Sequence, residues 1–298
     1  MNVPAAYLAV ILIWSTTPLA IKWSTEEVGF LFGAASRMTL GFVCVFVLTL
    51  VRREGLRFDG VACKAYGLAA IGIYGAMFST YWASQYVPSG WIALVFGLSP
   101  MVTALLSAVL LGERSMTLNR MLAQIIGLSG LGVIFYQSLE FGTAAVLGIA
   151  ALLIATACHT LSAVLLKRQA ADLPASTLVA GGLLVALVPY YVSWALFDGT
   201  VPDAMPAHVL GSILYLGAIA TTCGFTLYYY LLRRQSPSQV ALVALVSPIA
   251  ALALGRLLND EAIDARVVVG AGLVLVALFL HEVLPALRRA PRARVGHG

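Results

Sequence analysis

Apolar residues run along this chain in long blocks, broken at nearly regular intervals by short polar or charged stretches. A block of about 20 apolar residues is what a helix needs to cross the hydrocarbon core of a bilayer. Blocks of that size predict spans at Ala5–Ile21, Val28–Val51, Tyr66–Ala83, Ser89–Leu110, Arg120–Tyr136, Thr143–Leu166, Thr177–Phe197, Val209–Leu232, Gln239–Leu258 and Arg266–Leu284. All are predicted as helices, because lipid offers a backbone N–H or C=O no partner outside its own segment. The pattern reads as an all-α integral membrane protein of ten transmembrane helices with short loops. The first block lacks a basic leader and a small-residue cleavage site, and a second block follows at once. It is therefore read as a retained span.

Composition strengthens this picture. The chain is 61% hydrophobic and 10% charged, whereas a soluble domain carries about 25% charged residues. The net charge of +5 would suit nucleic acid if it were gathered in one patch, but it is scattered between apolar blocks. With the N-terminus placed in the cytoplasm, one side of the membrane collects fourteen Lys and Arg residues, among them Arg52, Arg53, Lys64, Arg114, Lys167, Arg168, Arg233, Arg234 and Arg288. The other side holds only three, Lys22, Arg256 and Arg266. Basic residues stay on the cytoplasmic side. Both termini are therefore predicted to be cytoplasmic, in a bacterial inner membrane, with lipid and a small-molecule substrate as partners and no nucleic acid.

Comparing the chain with itself reveals a repeat. Ala93-Leu94-Val95, followed after three residues by Ser99-Pro100, recurs as Ala241-Leu242-Val243, followed by Ser247-Pro248. Glu113 lies thirteen residues after Pro100, and Glu261 thirteen after Pro248. Pro88-Ser89 corresponds to Pro237-Ser238, and Gly127 to Gly270. This divides the chain into residues 1–139 and 140–298, each with five spans and the second with a basic tail. Five is odd, so the second copy enters the membrane upside down. Such inverted repeats are a common construction of secondary transporters. One chain holds both repeats, so a monomer suffices.

With these residues in place, the chain resembles the drug/metabolite transporter superfamily, in its ten-span branch of two EamA-type repeats. The likeness is carried by Trp14 and Lys22 in the first span, Arg37 in the second and the two Ser-Pro-Glu units. Gln85-Tyr86-Val87-Pro88-Ser89 and Arg233-Arg234-Gln235-Ser236-Pro237-Ser238 add to it. The aromatic third and eighth spans are most similar to the YddG-like aromatic amino-acid exporters. The resemblance implies export of amino acids or related amines by alternating access around a central cavity. The alternative is a passive channel or facilitator for small neutral solutes.

Candidate site residues follow from depth and chemistry. Arg37 lies well inside a span without any deep acidic residue to neutralise it. It either snorkels to the surface, bonds carbonyls, or faces water and an anionic group such as a substrate carboxylate. Tyr74, Phe78 and Tyr81 share a helical face, Trp14 lies at mid-depth and Tyr228 belongs to span eight. Such rings line a cavity for aromatic or cationic groups, or simply pack. His159 could bond or titrate, or hold two helices together. Ser99 and Ser247 could bond a substrate or their own backbone. Pro100 and Pro248 each remove a helical hydrogen bond and are candidate hinges. Trp82, Tyr86, Trp91, Trp194 and Phe197 read as an interfacial belt. No phosphate-binding loop, HExxH, GxSxG or carboxylate cluster is present, and the four cysteines have no ligand spacing. The expectation is no enzyme, no cofactor, no metal and no disulfide.

Overall fold

The computed structural model describes residues 3–111, 118–140, 142–169, 172–234 and 237–283. Glu113, Arg114, Gln235, Ser236 and the basic tail, including Leu284 and Arg288, lie outside the described residues. Within them the chain is wholly helical, without a strand. Its helical rods are α1 (Val3–Trp23), α2 (Phe30–Val51), α3 (Gly60–Ala70, Ile71–Ala76 and Met77–Ser84 in sequence), α4 (Ser89–Phe96, then Ser99–Leu111), α5 (Leu118–Glu140), α6 (Thr143–Gln169), α7 (Ala175–Phe197), α8 (Ala207–Leu214, Tyr215–Gly224 and Phe225–Arg234), α9 (Pro237–Asn259) and α10 (Ala265–Leu278 continuing into Phe279–Val283). Seven of the described helices are long and apolar enough to cross a membrane, and shorter apolar stretches lie at Met121–Ile134, Val246–Asn259 and Ala265–His281.

Several helices begin where the sequence supplies a cap. Pro88, Pro174 and Pro206 occupy the positions before α4, α7 and α8 with extended ψ, where a missing N–H costs nothing. The third span starts at Gly60, earlier than its apolar block suggests. Asp59 accepts hydrogen bonds from the N–H groups of Val61 and Ala62, and Lys64 lies exposed on the added turn. The Asp59 carboxyl is held below the usual carboxylate range, chiefly by the Ala62 N–H; desolvation opposes this, and Arg57 adds to it.

Two stretches of backbone are underwound into π-helix, Ile71–Ala76 in α3 and Tyr215–Gly224 in α8. A π turn leaves carbonyls without their usual partner and is frequent at functional sites. Here Tyr190 donates to the Ile73 carbonyl at 3.0 Å, and Thr222 donates to Gly217 at 3.0 Å.

The packing has a simple order. α2 lies along α7, α4 along α9 and α5 along α10. α1 lies against α8 and α9, whereas α6 lies against α3 and α4. α2 also meets α8, and α7 meets α3. The α5–α10 crossing is tight because both helices present glycine: a Cβ on Gly130 would fall 2.7 Å from the Gly270 carbonyl oxygen. Small residues at a crossing let membrane helices approach closely.

Two apolar clusters result. One joins α4, α5, α6 and α10 around Leu94, Ile134, Ile149 and Val274; the other joins α1, α2, α3, α7 and α8 around Met38, Tyr81, Leu183 and Leu216. Trp91 belongs to the first cluster and is 1% exposed. It is a core residue, unlike the interfacial belt expected for it. Its indole packs into that apolar cluster, while its neighbours Ser89 and Gly90 donate to Glu261 in the α9–α10 turn. Phe197 and Tyr86 are exposed, as a belt requires.

Candidate functional site

Arg37 is the eighth residue of α2, about 12 Å along the helix axis. It is 2% exposed, so it does not snorkel. A charge at such depth costs about 2.5–3.5 kcal/mol on insertion scales. Its neighbours offset little of that. Nε donates to Thr221 Oγ1 at 3.2 Å, and Nη1 lies 4.0 Å from Met77 Sδ. The guanidinium carbon stands 5.8 Å from the centre of the Tyr81 ring. No carbonyl and no carboxylate among the described residues receives it.

The sequence explains why Thr221 reaches this guanidinium. Gly41 lies one turn after Arg37, and a Cβ there would sit 2.7 Å from Thr221 Cγ2. Gly41 thus lets α8 close onto α2. On the other side the π turn of α3 ends at Ala76, and Met77, Phe78 and Tyr81 follow on the next turns.

The rings form a connected group. Phe30 and Phe78 meet edge-on with centroids 5.7 Å apart, Tyr74 and Phe78 lie 5.3 Å apart, and Tyr74 meets Tyr190 edge-on at 4.9 Å. The Tyr74 hydroxyl pairs with Ser193 Oγ at 2.6 Å. The Tyr81 hydroxyl lies 3.5 Å from Ser24 Oγ. The structure therefore brings Arg37, Tyr74, Phe78 and Tyr81 together. Sequence reasoning missed Phe30, Met77, Tyr190 and Thr221. Phe30 stands two helical turns before Arg37, and the Thr221-Thr222 pair interrupts an apolar block. Both were available as signals.

The other candidates lie apart from this group. Trp14 stacks obliquely on Tyr228 at 4.7 Å, joining α1 to α8. Pro18, inside α1, removes the helical bond to the Trp14 carbonyl. His159 in α6 faces Phe96 at 6.0 Å, edge-on. Ser99 donates to the Phe96 carbonyl at 2.6 Å, the carbonyl that Pro100 leaves free. Ser247 is buried beside Pro248, and its hydroxyl has no hydrogen-bond partner among the described residues.

A second polar centre ties helix ends together. Glu261, between α9 and α10, has a side chain 8% exposed. Its Oε1 accepts from Ser89 N at 2.9 Å, from Asn259 Nδ2 at 3.1 Å and from Lys22 Nζ at 3.5 Å. Its Oε2 accepts from Ser89 Oγ at 2.9 Å and from Gly90 N at 3.5 Å. A carboxylate at a helix N-terminus is stabilised by the free N–H groups and the helix dipole, by about 0.3–1 kcal/mol when exposed and up to ~2 when partly buried. Trp23 Nε1 adds a hydrogen bond to Asn259 Oδ1 at 3.1 Å. One carboxylate thus fastens the end of α1, the start of α4 and the α9–α10 turn. A cleft of about 170 Å³ opens elsewhere, lined by Arg52, Glu54, Ser176, Thr226 and Tyr230.

A profile described as the EamA-like transporter family matches residues 4–136 and again residues 146–281. The "Probable terminal-alkyne amino-acid exporter" of Streptantibioticus cattleyicolor is 28% identical, over 96% of this chain and 95% of its own length. The "Probable amino-acid metabolite efflux pump" of Escherichia coli (strain K12) is 26% identical, over 65% of this chain and 68% of its own length. A solved structure titled only "Crystal structure of protein" shares the fold with a TM-score of 0.69 at 22% identity, covering 95% of this chain and 98% of that one. Two matches that together span nearly the whole chain establish what kind of molecule this is: it belongs to the EamA-like transporter family, a multi-pass membrane transporter and not an enzyme.

Proposed function

We propose that this protein is a secondary transporter of the inner membrane that exports amino acids or related amines by alternating access, acting as a monomer built from two inverted five-helix repeats. The observation that carries this reading is the order of the packing. Exchanging each helix for the one five places along the chain maps α2–α7, α4–α9 and α5–α10 onto themselves, and maps the α1 contacts with α8 and α9 onto those of α6 with α3 and α4. That is the pattern of a two-fold axis relating residues 1–139 to 140–298. With five helices per half, the axis lies in the membrane plane. The repeated family match supports the same division. The Glu261 fastening fits a conformation closed on the side opposite Arg52 and Arg53, and the basic residues make that closed side the periplasm. Trp14, Arg37, Tyr74, Phe78, Tyr81, Ser99, His159, Tyr228 and Ser247 would line the substrate path, with Pro100 and Pro248 as hinges.

Counterflow in proteoliposomes tests the reading. Vesicles loaded with an unlabelled amino acid should accumulate the labelled one transiently, and the rate should saturate. Flux that rises linearly with concentration and shows no stimulation from the opposite side would establish the passive facilitator instead.

A further inference from the structure

We infer that Arg37 is a carboxylate-binding site, and that the pocket around it selects small apolar molecules by their carboxylate while offering nothing to a free amine. The inference rests on the transport reading above and narrows it: of amino acids and related amines, it keeps the acids.

The argument begins with donors. A guanidinium carries five N–H groups and accepts nothing. In Arg37, Nε is used by Thr221, and Nη1 has only a distant thioether. Nη2 has no hydrogen-bond partner among the described residues. The remaining fork matches a carboxylate, which Arg binds through two parallel hydrogen bonds.

Two of the hydroxyls nearby are already committed. The Tyr74 hydroxyl is paired with Ser193, and the Tyr190 hydroxyl donates to the Ile73 carbonyl. What these residues still offer a ligand is aromatic surface, continued by Phe30 and Phe78. Such surface takes up the apolar part of a molecule.

A free ammonium would find no counter-charge. None of the thirteen acidic residues lies in the interior of a span. Glu261, with a side chain 8% exposed, is spent on Ser89, Gly90, Asn259 and Lys22. Beside Arg37 an ammonium would also meet a like charge in a poorly screened setting. The amine of an amino acid is therefore dispensable here, and an amine without a carboxylate is rejected. The guanidinium is enclosed in this conformation, so a ligand reaches it when α2 separates from α3 or α8.

The test uses four probes of one ring size on the purified full chain in detergent: 3-phenylpropionate, N-acetyl-L-phenylalanine, L-phenylalaninamide and phenethylamine. Binding is read by thermal stabilisation. Both carboxylates should bind about tenfold or more tightly than the amide and the amine, as expected for loss of a charge-assisted pair. Arg37→Gln should abolish carboxylate binding, and Arg37→Lys should weaken it by about tenfold, because the ammonium cannot fork. Should Arg37→Gln fail to fold, Thr221→Val is the second variant. It frees Nε from its anchor and should weaken both carboxylates several-fold while leaving the amine unchanged. Equal binding of phenethylamine and 3-phenylpropionate overturns the proposal, as does binding of no probe, or unchanged carboxylate binding in Arg37→Gln or Thr221→Val. Saturable counterflow of an amino acid with no competition by either carboxylate would sink the Arg37 site and leave the transport reading standing. Carboxylate binding without counterflow would do the reverse.

Discussion

Around Pro100 the fourth helix stops at Phe96 and restarts at Ser99, whereas around Pro248 the ninth helix runs from Pro237 to Asn259 without interruption. The local sequences are nearly the same, with an Ala-Leu-Val run, a Ser-Pro pair and a glutamate thirteen residues on. Ser99 donates its hydroxyl to the freed Phe96 carbonyl, but the corresponding Ser247 hydroxyl has no partner among the described residues. A mid-helix proline therefore permits a break without imposing one; the surrounding helices decide. Under the proposed two-repeat reading, one copy carries a broken helix where the other carries a continuous one.

The strongest way to disturb this asymmetry is to release the turn that follows the straight helix. Glu261→Gln removes the charge that Ser89, Gly90 and Lys22 share. Accessibility from the periplasmic side should rise about tenfold or more at a cysteine placed at Val87, which is 2% exposed. Membrane-impermeant maleimide measures this. Unchanged labelling would mean that Glu261 only trims a loop. Its counterpart Glu113 lies outside the described residues, and Glu113→Gln should raise labelling from the cytoplasmic side instead.

A smaller effect is expected at the prolines. Pro100→Ala restores a helical N–H to a broken helix, while Pro248→Ala does so in a helix that is already continuous. Both variants should fold and transport several-fold more slowly, and the two should bias two-sided labelling in opposite directions. If both shift it the same way, or neither does, the bend is static.

The smallest effect separates the serines. Ser99→Ala loses a hydrogen bond and should cost about 1 kcal/mol. Ser247→Ala removes a buried hydroxyl that bonds nothing among the described residues and should be near neutral, so the two melting temperatures in detergent should move unequally. Equal shifts would contradict the comparison.

Much of this was legible in the sequence. Hydropathy alone located the helices, because lipid leaves few other solutions, and the unneutralised Arg37 announced itself by its depth. Tyr74, Phe78 and Tyr81 were readable from helical spacing. What stayed hidden depended on other elements. The π turns have only a faint trace in their glycines, Gly72, Gly75, Gly217 and Gly224, since underwinding depends on what packs against the span. Trp91 read as interfacial because position in a chain says nothing of the neighbouring helices that bury it. Thr221 could not be matched to Arg37 without knowing that α8 closes on Gly41. Ser99 and Ser247 were indistinguishable on paper, as their sequence neighbourhoods are alike.

The glycine crossing of α5 and α10 bears on how such a chain could be assembled. Backbones that meet directly at Gly130 and Gly270 leave little room for side-chain rearrangement, so this seam is a rigid contact between the two helices. The two helices it joins are far apart in the chain, with α6 to α9 between them. The seam itself needs no covalent link. Two separately translated segments, cut near Gly142, have in it a ready surface for mutual recognition within the bilayer.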